Sequence, residues 1–432
     1  MPQVFSTSPV VSAARNLYHS NHRLVFFFTA VFLLLFSSGQ AQSFQEPGFT
    51  SELVTTMPPY KTVGLTFAPD GRMFLWQDDG IVRIFKNGTL LPTPFLDISN
   101  RVNYLGDRGL MGLAFDPNFS TTGFIYLYYT YEPGNDPQNY DARTQRLTRM
   151  KVSATNPDVA DPNSEIVILG QIGVAPCGQY PEGSDCIGAD IDSHIGGTIR
   201  FAPDGKLFLS TGDAASYNFA DERALRAQNL NLYEGKILRI NPDGSAPTDN
   251  PFYDGTNSVR SRIYSYGLRN PFRMALHPVT GEPYIGEVGW YSFEEINRGR
   301  GANFGWPCFE GNFPQSDYQR LFSACQALPA TAVTQPLHTY GHDVGQAVIG
   351  GTFYTGTQYP SAYHHNFFFA DYPSNWIRRM VLNADGTVAS VQMFASNVSN
   401  PVGVEQGPDG SLYYISIVSG EVRRIRYATT AP

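Results

Sequence analysis

The sequence predicts an all-β chain folded as a six-bladed β-propeller, and three observations carry that prediction. A unit of strand, Pro-Asp-Gly turn and strand recurs: LTFAPDGRMFL begins at Leu65, IRFAPDGKLFL at Ile199 and VEQGPDGSLYY at Val404. Pro fixes φ at the second turn position and Gly accepts positive φ, so each copy is a tight turn between two strands. Looser copies begin at Leu113 (LAFDPNF) and Met274 (MALHP). Counts of 25 Tyr and 30 Phe favour strands over helices. Helical periodicity is scarce, and residues 221–233 (DERALRAQNLNLY) are the only convincing stretch, with an acidic start that suits the helix dipole. Repeated small antiparallel sheets mean a propeller, and roughly 40–60 residues per blade gives about six blades. The first and last copies are nearly the best matched, which suits a ring closed between its termini.

Taken in order, the chain opens on a run that is not propeller. Residues 24–36 (LVFFFTAVFLLLF) are apolar, follow Arg15, His22 and Arg23, and precede small residues up to Ala41. That is the pattern of a secretory signal peptide spanning residues 1–41, with an uncleaved anchor as the alternative. Once cleaved, the chain has no stable membrane span and is secreted or periplasmic. Residues 42–432 contain no Pro/Ser linker and read as one domain. The net charge is −8 with no basic stripe, which makes nucleic acid a poor partner. Cys177 with Cys186, and Cys308 with Cys325, are two close pairs in an exported chain, most simply two local disulfides, and neither spacing is that of a zinc site. Propellers carry their sites where loops converge at one end of the channel, so the long insertions at residues 131–144, 173–192, 210–234 and 303–345 draw attention.

Four stretches are not explained by blade framework. LGDRGLMG places Asp107 and Arg108 between glycines just before a strand, where a charged pair is free to face a ligand. DSHIGG puts His194 at the mouth of a hairpin; a side chain titrating near neutrality beside glycines is the candidate catalytic base. YGLRNPFRMA offers Arg269 and Asn270 as a fork of donors for a carboxylate or quinone oxygen. Lastly, GEVGWYSFEEIN and the following GANFGWP are oxygen-rich loops with paired acids, of the kind that holds calcium.

GDRGLMGLAFDPNF, the His-x-Gly-Gly hairpin, GKILRINPDGSAPTDNPF, YGLRNPFRMA and EEIN with GANFGWP, in that order, resemble the soluble glucose/sorbosone dehydrogenase family, which includes aldose sugar dehydrogenases and hedgehog-interacting-protein-like propellers. The resemblance runs from about Leu53 to the C-terminus. It implies oxidation of a sugar hydroxyl with pyrroloquinoline quinone (PQQ) and calcium, the electrons passing to an external acceptor. On that likeness His194 is the general base and Asp107 helps orient the sugar. Arg269 and Asn270 hold the quinone oxygens, and the carbonyls of Gly289 and Trp290 ligate the cofactor's calcium. Glu294 and Glu295 lie at a second, structural calcium.

Two departures stand out. The family's lysine between the fifth and sixth blades is absent from residues 370–376 (ADYPSNW), and its arginine pair is absent from residues 399–404 (SNPVGV). Arg378 and Arg379 lie close by, in the following strand. A non-catalytic, calcium-stabilised propeller that binds carbohydrate or protein is the alternative reading. A metal-dependent lactonase built on Asp190, Asp192, Asp213 and Glu287 is a third. His364, His365, Trp306 and Trp376 read as blade framework and core packing.

Overall fold

A computed structural model describes residues 42–428; the expected signal peptide lies outside the described residues. Six antiparallel sheets of four or five strands are arranged as a six-bladed propeller, and a separate two-stranded ribbon pairs Phe309–Glu310 with Phe313–Pro314. From the channel outward, blade 1 is Thr62–Phe67, Met73–Gln77 and Ile81–Lys86, and blade 2 is Leu110–Phe115, Phe124–Tyr131, Arg143–Val152 and Ala160–Leu169. Blade 3 is Gly196–Phe201, Leu207–Thr211, Lys236–Ile240 and Ile263–Tyr266, and blade 4 is Arg273–Leu276, Pro283–Glu287, Phe293–Asn297 and His338–Gly341. Blade 5 is Val348–Phe353, Phe367–Asp371, Trp376–Leu382 and Val388–Ser396. Blade 6 takes Pro401–Gln406, Leu412–Ser416 and Glu421–Tyr427 from the end of the chain and its outermost strand, Phe49–Thr56, from the beginning. The ring is therefore closed by pairing the two ends, with Phe49 opposite Tyr427 and Thr56 opposite Glu421.

Strand alternation explains why the blades stack. Each sheet is apolar on both faces, and one hydrophobic cluster fills each junction between neighbours. Phe74, Ile84 and Leu110 belong to the cluster between blades 1 and 2, Leu147, Ile199 and Leu238 to that between 2 and 3. Leu75, Val402 and Ile415 close the circle between 6 and 1. Near the axis the inner strands approach so closely that side chains are excluded: a Cβ on Gly112 would lie 2.7 Å from the Gly197 carbonyl, and one on Gly350 would lie 2.1 Å from the Arg273 carbonyl. Arg273 itself is buried there and donates to the carbonyls of Val63 and Met111, tying blade 4 to blades 1 and 2 across the axis.

Residues 221–233 do not form the expected α-helix. A 3-10 helix, Glu222–Gln228, takes their place, with Asp221 accepting from Arg223 N–H at its start. The helix ends where its last carbonyls are capped from outside: Arg226 O accepts Asn229 N–H, Ala227 O accepts Gly267 N–H, and the buried Lys236 ammonium donates to both at 3.0 Å. Both expected disulfides form, with Cα separations of 5.6 Å for Cys177–Cys186 and 4.8 Å for Cys308–Cys325. Among the described residues no helix is long and apolar enough to cross a membrane.

Candidate active site

Every blade contributes to one mouth of the channel, through the segment leading into its inner strand or the loop between its second and third strands. Asp78, Asp107, His194, Arg269, Val288 and Tyr372 are among the residues lining a cavity of about 630 Å³ there. Asp107, His194, Arg269 and Asn270, four of the sequence-predicted residues, thus share one cavity.

His194 is buried, and its Nδ1 donates to Asp213 Oδ1 at 2.9 Å. With the proton on Nδ1, the lone pair on Nε2 is free to accept one. Asp213 Oδ1 also accepts from Ala215 N–H (2.9 Å), and Oδ2 from the Trp306 indole (2.7 Å). Burial alone would raise this carboxyl; the His194 ring bonded to it, with Arg269 behind, outweighs burial and holds it below the ordinary carboxylate range. The His194 backbone N–H is fixed by Asp107 Oδ2 at 3.0 Å, so Asp107 positions the base through its main chain. Asn270 Oδ1 holds Gly196 N–H at 3.1 Å, two residues further along the same turn.

The backbone at this point is strained. Among the described residues nine non-glycine positions have positive φ; five are asparagine, which tolerates it, and the other four are Tyr60, His194, Ala214 and His365. Tyr60 and His194 line the cavity, and Ala214 follows the dyad's aspartate, its N–H bonded to His194 O at 3.2 Å. Strain of this kind collects where function over-determines the structure.

Arg108 borders the cavity but commits its guanidinium to protein acceptors. It is turned inward and fully buried, donating to Ala189 O (2.9 Å), Asn139 O (3.1 Å), Ile191 O (3.3 Å) and Asn103 Oδ1 (3.3 Å). Its planar fork meets acceptors on three segments, which makes it a staple for the loops that carry Asp107 and His194.

Arg269 donates to Gly289 O at 2.7 Å and Val288 O at 3.2 Å. The Val288 and Gly289 carbonyls are thus turned toward a positive charge, the donor chemistry a hard cation uses; of the two expected calcium ligands, Gly289 is in this pair and Trp290 is not. Position 289 has no room for a side chain, since a Cβ would meet Phe293 O at 1.8 Å. Glu310 Oε1 accepts the N–H groups of Trp290, Tyr291 and Ser292 at 2.8–2.9 Å and so fixes the turn. The adjacent Glu294 and Glu295 project to opposite faces of their strand. Glu294 accepts from Gly289 N–H (3.2 Å), His342 (3.0 Å) and Val348 N–H (2.9 Å). Glu295 sits across from Glu287, and burial pushes its carboxyl up to about 8. Glu287 Oε2 is buried without a hydrogen-bond partner. Among the described residues no three His, Cys, Asp or Glu side chains form a metal cage, so a cation at Glu295 would also draw on carbonyl oxygens.

Asp213 and Trp306 are the residues that sequence reading passed over. The sequence offers Asp213 only as a lactonase ligand and Trp306 only as packing; Trp306 is buried, and its indole holds the dyad. Asp190 is committed to Arg226 instead. Arg378 stacks on Trp376 at 4.4 Å and Arg379 bonds Ala362 O and Gln392, so neither belongs to the cavity wall.

The sequence profile of Glucose / Sorbosone dehydrogenase matches residues 59–424. The chain belongs to the glucose/sorbosone dehydrogenase family. Aldose sugar dehydrogenase YliI of Escherichia coli (strain K12) is 26% identical over 364 residues, covering 84% of this chain and 88% of that protein. Quinoprotein glucose dehydrogenase B of Acinetobacter calcoaceticus is 28% identical over 300 residues, covering 66% and 56%. The structure of the soluble aldose sugar dehydrogenase from Escherichia coli in the apo-form shares the fold, with a TM-score of 0.67 at 22% identity over 88% of this chain and 99% of that one.

One wall of this family member's cavity is titratable near neutrality. Burial pushes the Asp78 carboxyl up to about 7, with Lys61 at 3.4 Å opposing the shift only in part. A carboxyl raised on folding contributes stability below its unfolded pKa and loses it as pH rises through the folded value, here between about pH 4 and about pH 7. Asp78→Asn is therefore expected to raise the urea midpoint at about pH 8 and to change it little at about pH 4. Equal midpoint shifts at the two pH values would show that Asp78 ionises as freely as in the unfolded chain.

Proposed function

We propose that this protein is an exported aldose dehydrogenase that uses PQQ with calcium and passes electrons to an external acceptor. The observation that carries the reading is the buried His194–Asp213 pair opening into the same cavity as Arg269 and Asn270. The quinone, when bound, supplies the acceptor for the two electrons of the sugar C–H bond. His194 Nε2 takes the proton of the sugar hydroxyl, because Nδ1 is already committed as donor to Asp213. Asp213 stabilises the imidazolium that results and keeps the ring oriented. Asp107, as an acceptor at the cavity wall, orients the hydroxyl group while it holds the base's main chain. Arg269 and Asn270 would hold the quinone's oxygens, and the Gly289 and Trp290 carbonyls would hold the cofactor's calcium. A second, structural calcium belongs at the Glu294–Glu295 stretch, where the unpartnered Glu287 oxygen across from Glu295 is the atom with most to gain from a cation. The two disulfides support an oxidising compartment.

The test is a titration of the calcium-loaded protein with PQQ, followed by cofactor absorbance. A saturable spectral change that is lost on chelation, and bleaching on addition of an aldose, are expected. No binding below millimolar cofactor would overturn the reading and leave the mouth as a recognition surface for a carbohydrate or protein partner.

A further inference from the structure

The chain has four tryptophans, and their indole N–H groups are used differently. Trp290 donates to Tyr217 O at 2.8 Å and Trp376 to Val344 O at 3.1 Å, both neutral carbonyls, while Trp76 Nε1 is buried without a partner. Trp306 alone donates to a carboxylate, Asp213 Oδ2, at 2.7 Å. Among the described residues that oxygen has no other donor, since Oδ1 takes the His194 ring and Ala215 N–H.

The aim of this indole is fixed from several sides. Its main chain is pinned twice, N–H to Gly267 O at 3.0 Å and carbonyl to Gln228 Nε2 at 2.8 Å. Trp290 meets the ring edge-on with centroids 6.0 Å apart, Tyr318 does so at 5.3 Å, and the Arg269 guanidinium lies 5.6 Å from the ring centroid. None of these contacts uses the indole nitrogen, so packing does not explain its bond to the dyad.

That bond reaches the base through Asp213. A neutral donor on Oδ2 stabilises the carboxylate and so weakens its pull on a proton at the His194 ring. The other charged and titratable groups around the pair act at different atoms. Asp107 holds the His194 main-chain N–H, Asp192 lies in the cavity wall, and Arg108 is turned to the Ala189 carbonyl. Arg226 donates to Asp213 O, Glu287 holds the Arg269 N–H, and Arg269 and Tyr318 stand against the Trp306 ring. Without the indole, a buried carboxylate oxygen is left unsatisfied, and the pair takes up a proton at higher pH, whichever of its two members carries it. A doubly protonated ring has no lone pair on Nε2 with which to accept the proton of a hydroxyl.

We propose that Trp306 is a positioning residue that keeps the extra proton off His194, and so keeps Nε2 ready to accept one, by holding Asp213 Oδ2. The role rests on the reading of His194 as the base of a dehydrogenase, whereas its first test needs neither cofactor nor sugar. In isotope-labelled protein the His194 ring, identified by its loss in His194→Gln, is titrated by NMR from about pH 5 to about pH 9. Trp306→Phe keeps an aromatic ring and removes the donor, and the midpoint is expected to rise by about one pH unit. Phe309→Leu, in the same hydrophobic cluster, disturbs packing but leaves the donor, and its midpoint should match that of the unsubstituted protein. An unmoved midpoint in Trp306→Phe, or the same movement in both variants, overturns the proposal. Should Trp306→Phe not fold, the unsubstituted protein decides. Its Trp306 indole N–H resonance should shift with the same midpoint as the His194 ring, and a resonance that stays flat through that transition overturns the proposal.

Turnover gives a further readout and separates this role from the reading beneath it. On the cofactor-loaded protein the loss of kcat/KM in Trp306→Phe should be up to about tenfold greater at about pH 6 than at about pH 8.5, as a base that holds its proton more tightly requires. A loss equal at the two pH values overturns the proposal. If no sugar is oxidised while the NMR midpoint still moves in Trp306→Phe alone, the dehydrogenase reading fails and the hold of Trp306 on the His194–Asp213 pair stands.

Discussion

Replacing His194 with glutamine is expected to lower the rate of sugar oxidation by about 10²–10⁴-fold, the range a positioned general base contributes, while PQQ affinity stays within a few-fold. Glutamine keeps a polar side chain at the position but has no group that accepts a proton near neutral pH. Asp213→Asn should reproduce much of the loss through a different atom. Asp213 Oδ1 faces two N–H donors, His194 Nδ1 and Ala215, and Oδ2 faces a third, from Trp306. An amide offers one oxygen and one NH₂, so in either orientation a buried N–H meets another N–H. It also removes the negative charge opposite a ring that becomes cationic during the reaction, and a decrease of about 10²-fold or more is expected. Single-turnover reduction of the bound cofactor measures both variants. Wild-type rates in His194→Gln would remove the histidine from the mechanism, whatever happens to binding.

The second large effect is on stability and involves no substrate. Arg108→Met should destabilise the fold by about 3 kcal/mol, because it leaves the Ala189 and Ile191 carbonyls short of their side-chain donor and unties three loop segments. Arg108→Lys should recover little of it. One ammonium cannot reach acceptors on residues 103, 139, 189 and 191 together, whereas the planar fork does. Urea unfolding checks both variants, and a loss below about 1 kcal/mol for Arg108→Met would show that water replaces the guanidinium at these carbonyls.

These two predictions differ in how far the sequence alone supports them. The blades were legible because a Pro-Asp-Gly turn and alternation are local signals, and His194 stood out beside its glycines. Asp213 was legible in principle. Gly196 pairs with Thr211 in the hairpin, and extending that register by two residues puts Asp213 opposite His194. The two lie 19 positions apart in sequence, and only the pairing brings them together. Trp306 gave no such signal, since it comes from a different blade 93 residues away. The inward turn of Arg108 was equally hidden, because its acceptors come from loops that converge only once the ring exists. The early end of the 3-10 helix has the same origin: Lys236 and Gly267, from outside the segment, cap its last carbonyls. Glu294 and Glu295 illustrate a rule that a motif match overlooks, namely that neighbours on a strand look in opposite directions.

The closure of blade 6 also sets an order of events. Glu52 and Arg424, joined by a salt bridge across the closing pair, are 372 positions apart. The strand Phe49–Thr56 is among the first parts of the propeller to be synthesised, and its partner is among the last. During that interval its hydrogen-bonding edge has no cognate strand, and contacts this remote in sequence form slowly. Closure of the ring is therefore the last pairing available to the chain, and every blade before it must hold its place until Glu421–Tyr427 is free to pair.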